Sequence, residues 1–309
     1  MNVLLTGATG FIGAPMARLL LQAGCQVFAP VRPESNRERI QDLLNSTSLH
    51  LVDCDLLEPG KVKDCLERIR PELCFHLAWY AQPGKYLTSP LNLQHLSASL
   101  NLASQLAEKG CKRLVVAGTC AEYNLDLGYL SESSPTAPAT LYAASKLALN
   151  LTLAQLAPQL GLEVAWGRIF YVYGPCEDER RFIPAVIAAL LRGETTKLTP
   201  GGQVRDYLHI DDVATALWAV ARSSLAGIVN IGSGVPVTNR QVAIQIGAIL
   251  GCPELVKFGD LPYRPGDPMF VCADNHRLLQ NTAWLPHYDV ESGLRQTIAW
   301  WQDHLPAEG

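Results

Sequence analysis

Apolar and polar positions in the first 170 or so residues repeat in one order: a short, nearly continuous apolar run, then a longer amphipathic stretch. The runs Val3–Thr6, Gln26–Val31, Leu49–Asp53, Leu73–Ala78, Arg113–Ala117 and Val164–Phe170 read as strands. They alternate little between apolar and polar, as strands buried on both faces do. Phe11–Ala23, Pro59–Arg70, Leu91–Lys109 and Leu141–Leu160 read as the helices between them. Such alternation predicts an α/β fold, a parallel sheet covered on both faces, with ligands beyond the carboxyl ends of its strands.

The pattern then loses its regularity. Ile183–Leu191 and Asp211–Ala221 read as helices, and Ile228–Ile231 as a short strand before Gly232-Ser233-Gly234. Thr238 and Gln241 form a capping-box pattern that opens a helix through Leu250. Pro and Gly cluster at 199–202, 234–236 and 262–268. We expect a smaller C-terminal α/β lobe that closes over the ligand edge of the sheet. The boundary falls near 172, and later segments near 205–231 are free to rejoin the first sheet.

Composition narrows the partners. With 48% apolar and 17% charged residues, a sizeable core is available and disorder is disfavoured. A formal charge of −4 argues against non-specific binding to nucleic acid or to an anionic membrane surface. Nine cysteines without CxxC pairs suit reduced thiols in a cytoplasm, not a disulfide framework or a metal ribbon. Met1-Asn2 runs straight into the first strand, so no cleaved leader is expected, and no apolar run is long enough to span a bilayer.

Thr6-Gly7-Ala8-Thr9-Gly10-Phe11-Ile12-Gly13 follows a strand and opens a helix. Gly7 permits a tight turn, Gly10 lets backbone approach a pyrophosphate, and Gly13 allows close helix–strand packing. The amides of Phe11 and Ile12 at the helix start would face the phosphates. The second strand bears on the cofactor's ribose. Val31 stands where an NAD site usually carries an acid. Arg32 and Arg37, with Ser35 between them, suit a 2′-phosphate, while Glu34 would either repel it or pair with an arginine. NADP(H) is favoured on this reading, with NAD(H), or a plain solvated loop, as the alternatives. In the segment Tyr142-Ala143-Ala144-Ser145-Lys146, the i, i+4 spacing puts a phenol and an ammonium on one helix face, downstream of a strand ending Ala117-Gly118-Thr119.

Together these motifs resemble the extended short-chain dehydrogenase/reductase family, nearest to its nucleotide-sugar epimerases, dehydratases and 4-ketoreductases. The resemblance implies a Rossmann-type doubly wound domain over 1–172 and a nucleotide-sugar lobe over 173–309. It implies a Thr119–Tyr142–Lys146 triad: Thr119 holds the substrate oxygen, Tyr142 exchanges its proton, and Lys146 tunes Tyr142 and holds the nicotinamide ribose. Bringing a phenol from about 10 to 7 takes about 4 kcal/mol of differential stabilisation. Asp55 and Leu56 match the adenine site, and backbone at Leu77 and Ala78 the strand that runs beside the cofactor. His76 reads as a strand residue. Arg205 and Arg264 match diphosphate-binding arginines, with salt bridges to Asp206 and Asp267 as the alternative. Tyr171 stands where many members have a sugar-contacting asparagine. Trp79 could stack on sugar or base, and a packing role is equally open.

Dehydratases carry acids just after the triad Ser/Thr. Here Cys120 and Ala121 hold those positions and Glu122 comes one step later, where on a strand-like segment it would face the other side. Dehydration is therefore disfavoured, unless a shifted local backbone brings Glu122 round. The arginines after the second strand, and the resemblance of Trp79-Tyr80 and of Gly118–Tyr123 to the family's 4-ketoreductases, imply NADPH-dependent reduction of a nucleoside-diphosphate 4-keto-6-deoxyhexose. The alternative is an NAD-dependent nucleotide-sugar 4-epimerase, and a remote third is a non-catalytic dinucleotide-binding sensor. The family also implies a homodimer formed through Leu91–Lys109 and Leu141–Leu160. No metal site is read from the sequence.

Overall fold

Successive residues of the strands serve opposite cores, which is why the runs are continuously apolar. Val3 and Leu5 join one cluster, with Phe75, Val115 and Val229, while Leu4 joins another, with Cys74, Leu114 and Val116. The computed structural model describes residues 1–305.

In chain order the elements are β1 (Asn2–Thr6), α1 (Gly13–Gln22), β2 (Gln26–Val31), β3 (Leu49–Asp53), α2 (Pro59–Ile69), β4 (Leu73–His76), α3 (Leu91–Glu108), β5 (Arg113–Thr119), β6 (Tyr129–Leu130), α4 (Leu141–Leu160), β7 (Glu163–Ile169), β8 (Tyr171–Tyr173), α5 (Phe182–Leu191), β9 (Val204–His209), α6 (Ile210–Arg222), β10 (Gly227–Ile231), β11 (Pro236–Thr238), α7 (Asn239–Leu250), β12 (Phe270–Ala273), α8 (His276–Asn281) and α9 (Val290–His304). Seven strands form one parallel sheet in the order β3-β2-β1-β4-β5-β7-β10. The order reverses between β1 and β4, the switch point where a doubly wound Rossmann sheet opens its ligand crevice. α1 and α6 cover one face, and α2, α3 and α4 the other.

β10 lies at residues 227–231, deep in the second half of the chain, yet pairs along its whole length with β7. The second sheet runs β11-β9-β12-β6, with β8 also paired to β9. Its member β6 comes from the first half, so the lobes exchange one strand each way. Asn230 fixes the exchange: its amide donates to the carbonyls of Leu130 (2.8 Å) and Asp274 (3.0 Å) and accepts from the Tyr123 hydroxyl (2.7 Å). Buried Asp206 accepts from the N–H groups of Ser233, Gly234 and Ala273, pinning the turn after β10 to β9 and β12. α5, α7 and α9 close the second core around Ile187, Ile246 and Ile298. The capping box read at Thr238 and Gln241 is formed at the start of α7. No described helix is long and apolar enough to cross a membrane.

Candidate active site

The glycine turn sits at the switch point. Gly7 has φ +74°, and a side chain there would meet the Ala78 amide nitrogen at 2.8 Å. A methyl on Gly13 would overlap the Gly7 carbonyl. The turn is thus pressed against the end of β4 and the start of α1 at once, with the Gly10 N–H donating to the Gly7 carbonyl (2.9 Å). No side chain caps α1, the Ala14 N–H is taken by the Gly10 carbonyl (3.1 Å) and Pro15 has no N–H, which leaves the amides of Phe11, Ile12 and Gly13 for an anion. These features fit a dinucleotide.

His76 bridges Thr6 (Nδ1–Oγ1 2.8 Å) and Ser99 (Nε2–Oγ 2.8 Å), and the Ala78 N–H donates to Thr6 Oγ1 (3.2 Å). Burial pulls its imidazole down to about 3, so it is a neutral tie beneath Leu77 and Ala78. Asp55 accepts from the Leu57 N–H (2.9 Å) and lies half-buried with Leu56 beyond β3. Beyond β2, Arg32 pairs with Glu34 (3.2 Å) on the surface, and the Arg32 N–H donates to Ser35 Oγ (3.1 Å). Arg37 is half-buried with no ion-pair partner among the described residues. The neighbouring Arg39, which the sequence reading passed over, grips the Cys176 carbonyl through Nε (3.1 Å) and Nη2 (2.9 Å). Its place in the arginine-rich run after β2 was the available signal.

β5 and α4 bring Thr119, Tyr142 and Lys146 together. Thr119 ends β5, and its hydroxyl oxygen accepts from the Ala121 N–H (3.2 Å). Thr140 caps α4 just before Tyr142, and the Tyr142 N–H is tied to the Leu87 carbonyl (3.0 Å). Lys146 is only 2% exposed. Its ammonium donates to the Ala117 carbonyl (2.8 Å) and lies 3.9 Å from the Trp79 ring centroid. Burial brings it down to about 7, opposed by the charge of Glu122. Burial pushes the Tyr142 phenol up, as does Tyr86, while the Thr119 side chain pulls it down. The protein's own groups therefore hold Tyr142 as a neutral proton donor.

Trp79 is more constrained than a free stacking platform. Its indole N–H donates to Asn92 (2.8 Å), itself anchored on the Tyr86 and Ser89 carbonyls, and its ring takes the Lys146 ammonium. Tyr86 packs edge-on against Tyr142, with centroids 4.9 Å apart. No local pattern marks Asn92, because its partners come from a turn and from beyond a strand end.

Glu122 lies on a 3₁₀ turn, Cys120–Glu122, not on a strand-like segment. It is fully buried, paired with Arg168 (2.7 Å), and accepts from the Trp166 indole (3.0 Å) and the Thr119 N–H (2.9 Å). Burial raises its pKa against the pull of Arg168. Its carboxyl is thus spent on holding Thr119 and the β5–β7 junction.

At the far end of the crevice, buried Arg205 pairs with Asp267 (2.9 Å) and lies 5.0 Å from the Tyr171 ring centroid. Asp206 does not share in that pairing, since its oxygens are committed to Ser233, Gly234 and Ala273. Arg264 is exposed and has no ion-pair partner among the described residues. Those residues hold no cluster of His, Cys, Asp or Glu suited to a metal, and all nine cysteines are free thiols.

The sequence pattern of the NAD dependent epimerase/dehydratase family matches residues 3–232. The chain belongs to that family. It is 28% identical to a UDP-glucose 4-epimerase of Mycolicibacterium smegmatis, over 98% of this chain and 99% of the relative. MoeE5, solved in complex with UDP-glucuronic acid and NAD, is 30% identical over 99% of this chain and 100% of its own, with a TM-score of 0.82. A UDP-N-acetylglucosamine 4-epimerase from Methanobrevibacter ruminantium is 27% identical, covers 98% and 99% of the two chains, and superimposes with a TM-score of 0.88.

Proposed function

We propose that this family member is a nucleotide-sugar 4-epimerase that retains NAD and inverts a hexose hydroxyl on a nucleoside diphosphate. The observation that carries this is the convergence of Thr119, Tyr142 and Lys146 with Glu122 withdrawn into an ion pair. Epimerisation needs one proton-transfer group at the reacting oxygen, whereas dehydration needs a further acid and base beside it. The full-length likeness to 4-epimerases supports an epimerase over a ketoreductase.

A bound nicotinamide dinucleotide supplies the hydride exchange at the sugar carbon. Thr119 orients the sugar oxygen, and Tyr142 takes its proton on oxidation and returns it on reduction. Lys146, held by the Ala117 carbonyl, keeps a cation beside the developing phenolate. Arg205 and Arg264 clamp the diphosphate, and Tyr171 lies beneath Arg205. Asp55 and Leu56 receive the adenine. The nine free thiols suit a reducing cytoplasm. A second copy of the chain docks on α3 and α4, whose Leu93 and Leu151 are 56% and 59% exposed. Sedimentation as a monomer would refute that docking.

A 4-ketoreductase using NADPH is the second reading. It is favoured by the lack of an acid at the end of β2 and by Arg37, which has no ion-pair partner among the described residues. One pair of assays separates the two. Conversion of UDP-glucose to its 4-epimer without added cofactor supports the epimerase. Stoichiometric NADPH oxidation by a 4-keto-6-deoxy nucleotide sugar, with no epimer formed, replaces it with the reductase.

A further inference from the structure

The loop from Gly174 to Arg181 leaves β8 at the ligand edge and bridges the crevice. At one end the Cys176 carbonyl is gripped by Arg39, and Cys176 lines a small cavity with Phe11 of the glycine turn. At the other end the Arg181 guanidinium lies 5.5 Å from the Tyr86 ring centroid, and Tyr86 packs on Tyr142. The segment between these anchors therefore spans from the dinucleotide turn to the reacting phenol.

Two features set this segment apart. Cys176 holds φ +64°, a left-handed conformation that L side chains rarely adopt. Such strain persists only where surrounding contacts impose it, and here the Arg39 grip is the contact. The next residue, Glu177, has a buried Oε2 without a hydrogen-bond partner. Leaving a buried acceptor unpaired is costly, so a side chain left in that state is set for a partner the chain itself does not supply. Its charged neighbours are Arg181 and Asp178, and the Tyr207 phenol lies within its field. Tyr207 is committed to Asn239 (2.9 Å) and packs against Tyr171.

We propose that Glu177 is a specificity-determining residue whose carboxyl exchanges a hydrogen bond with a hydroxyl of the substrate's sugar. This rests on the nucleotide-sugar reading of the site. A hydroxyl fits better than an ammonium group, because Arg181 already supplies positive charge nearby and burial pushes the carboxyl up to about 8. A largely protonated carboxyl both accepts from a hydroxyl and donates to it.

The test compares ligands that differ only by the sugar. With NAD present, calorimetry would give the affinities of UDP and UDP-glucose, and of dTDP and dTDP-glucose, for the wild type, Glu177→Ala and Glu177→Gln. Glu177→Ala should weaken the preferred nucleotide sugar at least tenfold and leave its free nucleoside diphosphate within twofold. Glu177→Gln, which keeps an acceptor, should recover part of the loss. Parallel changes for both ligands, or none for either, overturn the proposal while leaving the nucleotide-sugar reading standing. A wild type that binds neither nucleotide sugar overturns both.

Discussion

The crevice has a cation at each end, and the two are held in opposite ways. The Lys146 ammonium contacts neutral groups, the Ala117 carbonyl and the Trp79 ring, and burial brings it down to about 7 against the more distant charge of Glu122. Arg205 is also buried but already has an acid, Asp267, at 2.9 Å. An ammonium with no carboxylate bonded to it is free to stabilise a charge that forms beside it, as a phenolate would at Tyr142. A guanidinium neutralised in advance must loosen its carboxylate before it can serve a diphosphate. On the proposed function, the Lys146 end would stabilise a charge that appears during the reaction, and the Arg205 end would exchange its carboxylate for a diphosphate.

Breaking the reacting end should have the largest effect. Tyr142→Phe should cost about 10²–10⁴-fold in turnover, with dinucleotide affinity unchanged by fluorescence titration. A variant that keeps its turnover would end the contrast. Glu122→Ala tests the support beneath the triad. It leaves Arg168 uncompensated in the core, and chemical denaturation should register a loss of about 3–5 kcal/mol.

At the other end, Arg264→Ala should weaken nucleoside-diphosphate binding by about tenfold, the loss of one charge-assisted bond of about 1.5 kcal/mol, without shifting the melting temperature. Arg205→Ala should weaken binding and also lower stability, because Asp267 and Tyr171 lose a packed partner. Equal melting temperatures for the two variants would show that the Arg205–Asp267 pair does not support the lobe.

A last test addresses the loop between the two ends. An ordinary glutamate titrates near 4.3, whereas burial holds Glu177 at about 8. Between those values the folded chain binds more protons than the unfolded one. Its stability therefore falls as pH rises through that window. Glu177→Gln removes the effect, so thermal melts should give it no advantage at pH 4 and its greatest advantage above pH 8. An advantage of the same size at both ends of the range would mean that the carboxyl is not buried as described.

Much of the fold could be read before any coordinates, because its signals are local. Runs such as Arg113–Ala117 announced strands buried on both faces, and two glycines six residues apart, Gly7 and Gly13, announced the turn pressed between β1 and α1. The spacing of Tyr142 and Lys146 gave the triad's helical face. The cofactor was less legible. Arg32 and Arg37 after β2 suggested a 2′-phosphate, yet Arg32 is engaged by Glu34 on the surface.

Hydrophobic period and turn chemistry belong to neighbouring residues, so the sequence by itself determined the elements, the parallel sheet and the shared helix face of Tyr142 and Lys146. Which partner a charge takes depends on groups far apart in the chain, and only the tertiary structure decided those. It turned Glu122 inward to Arg168, matched Arg205 with Asp267 and not Asp206, and laid Trp79 beside Lys146. It also placed β6 in the second sheet, through an asparagine 100 residues away from Leu130. Burial and pairing energies arise from proximity in space, and a residue pattern of short range carries no record of them.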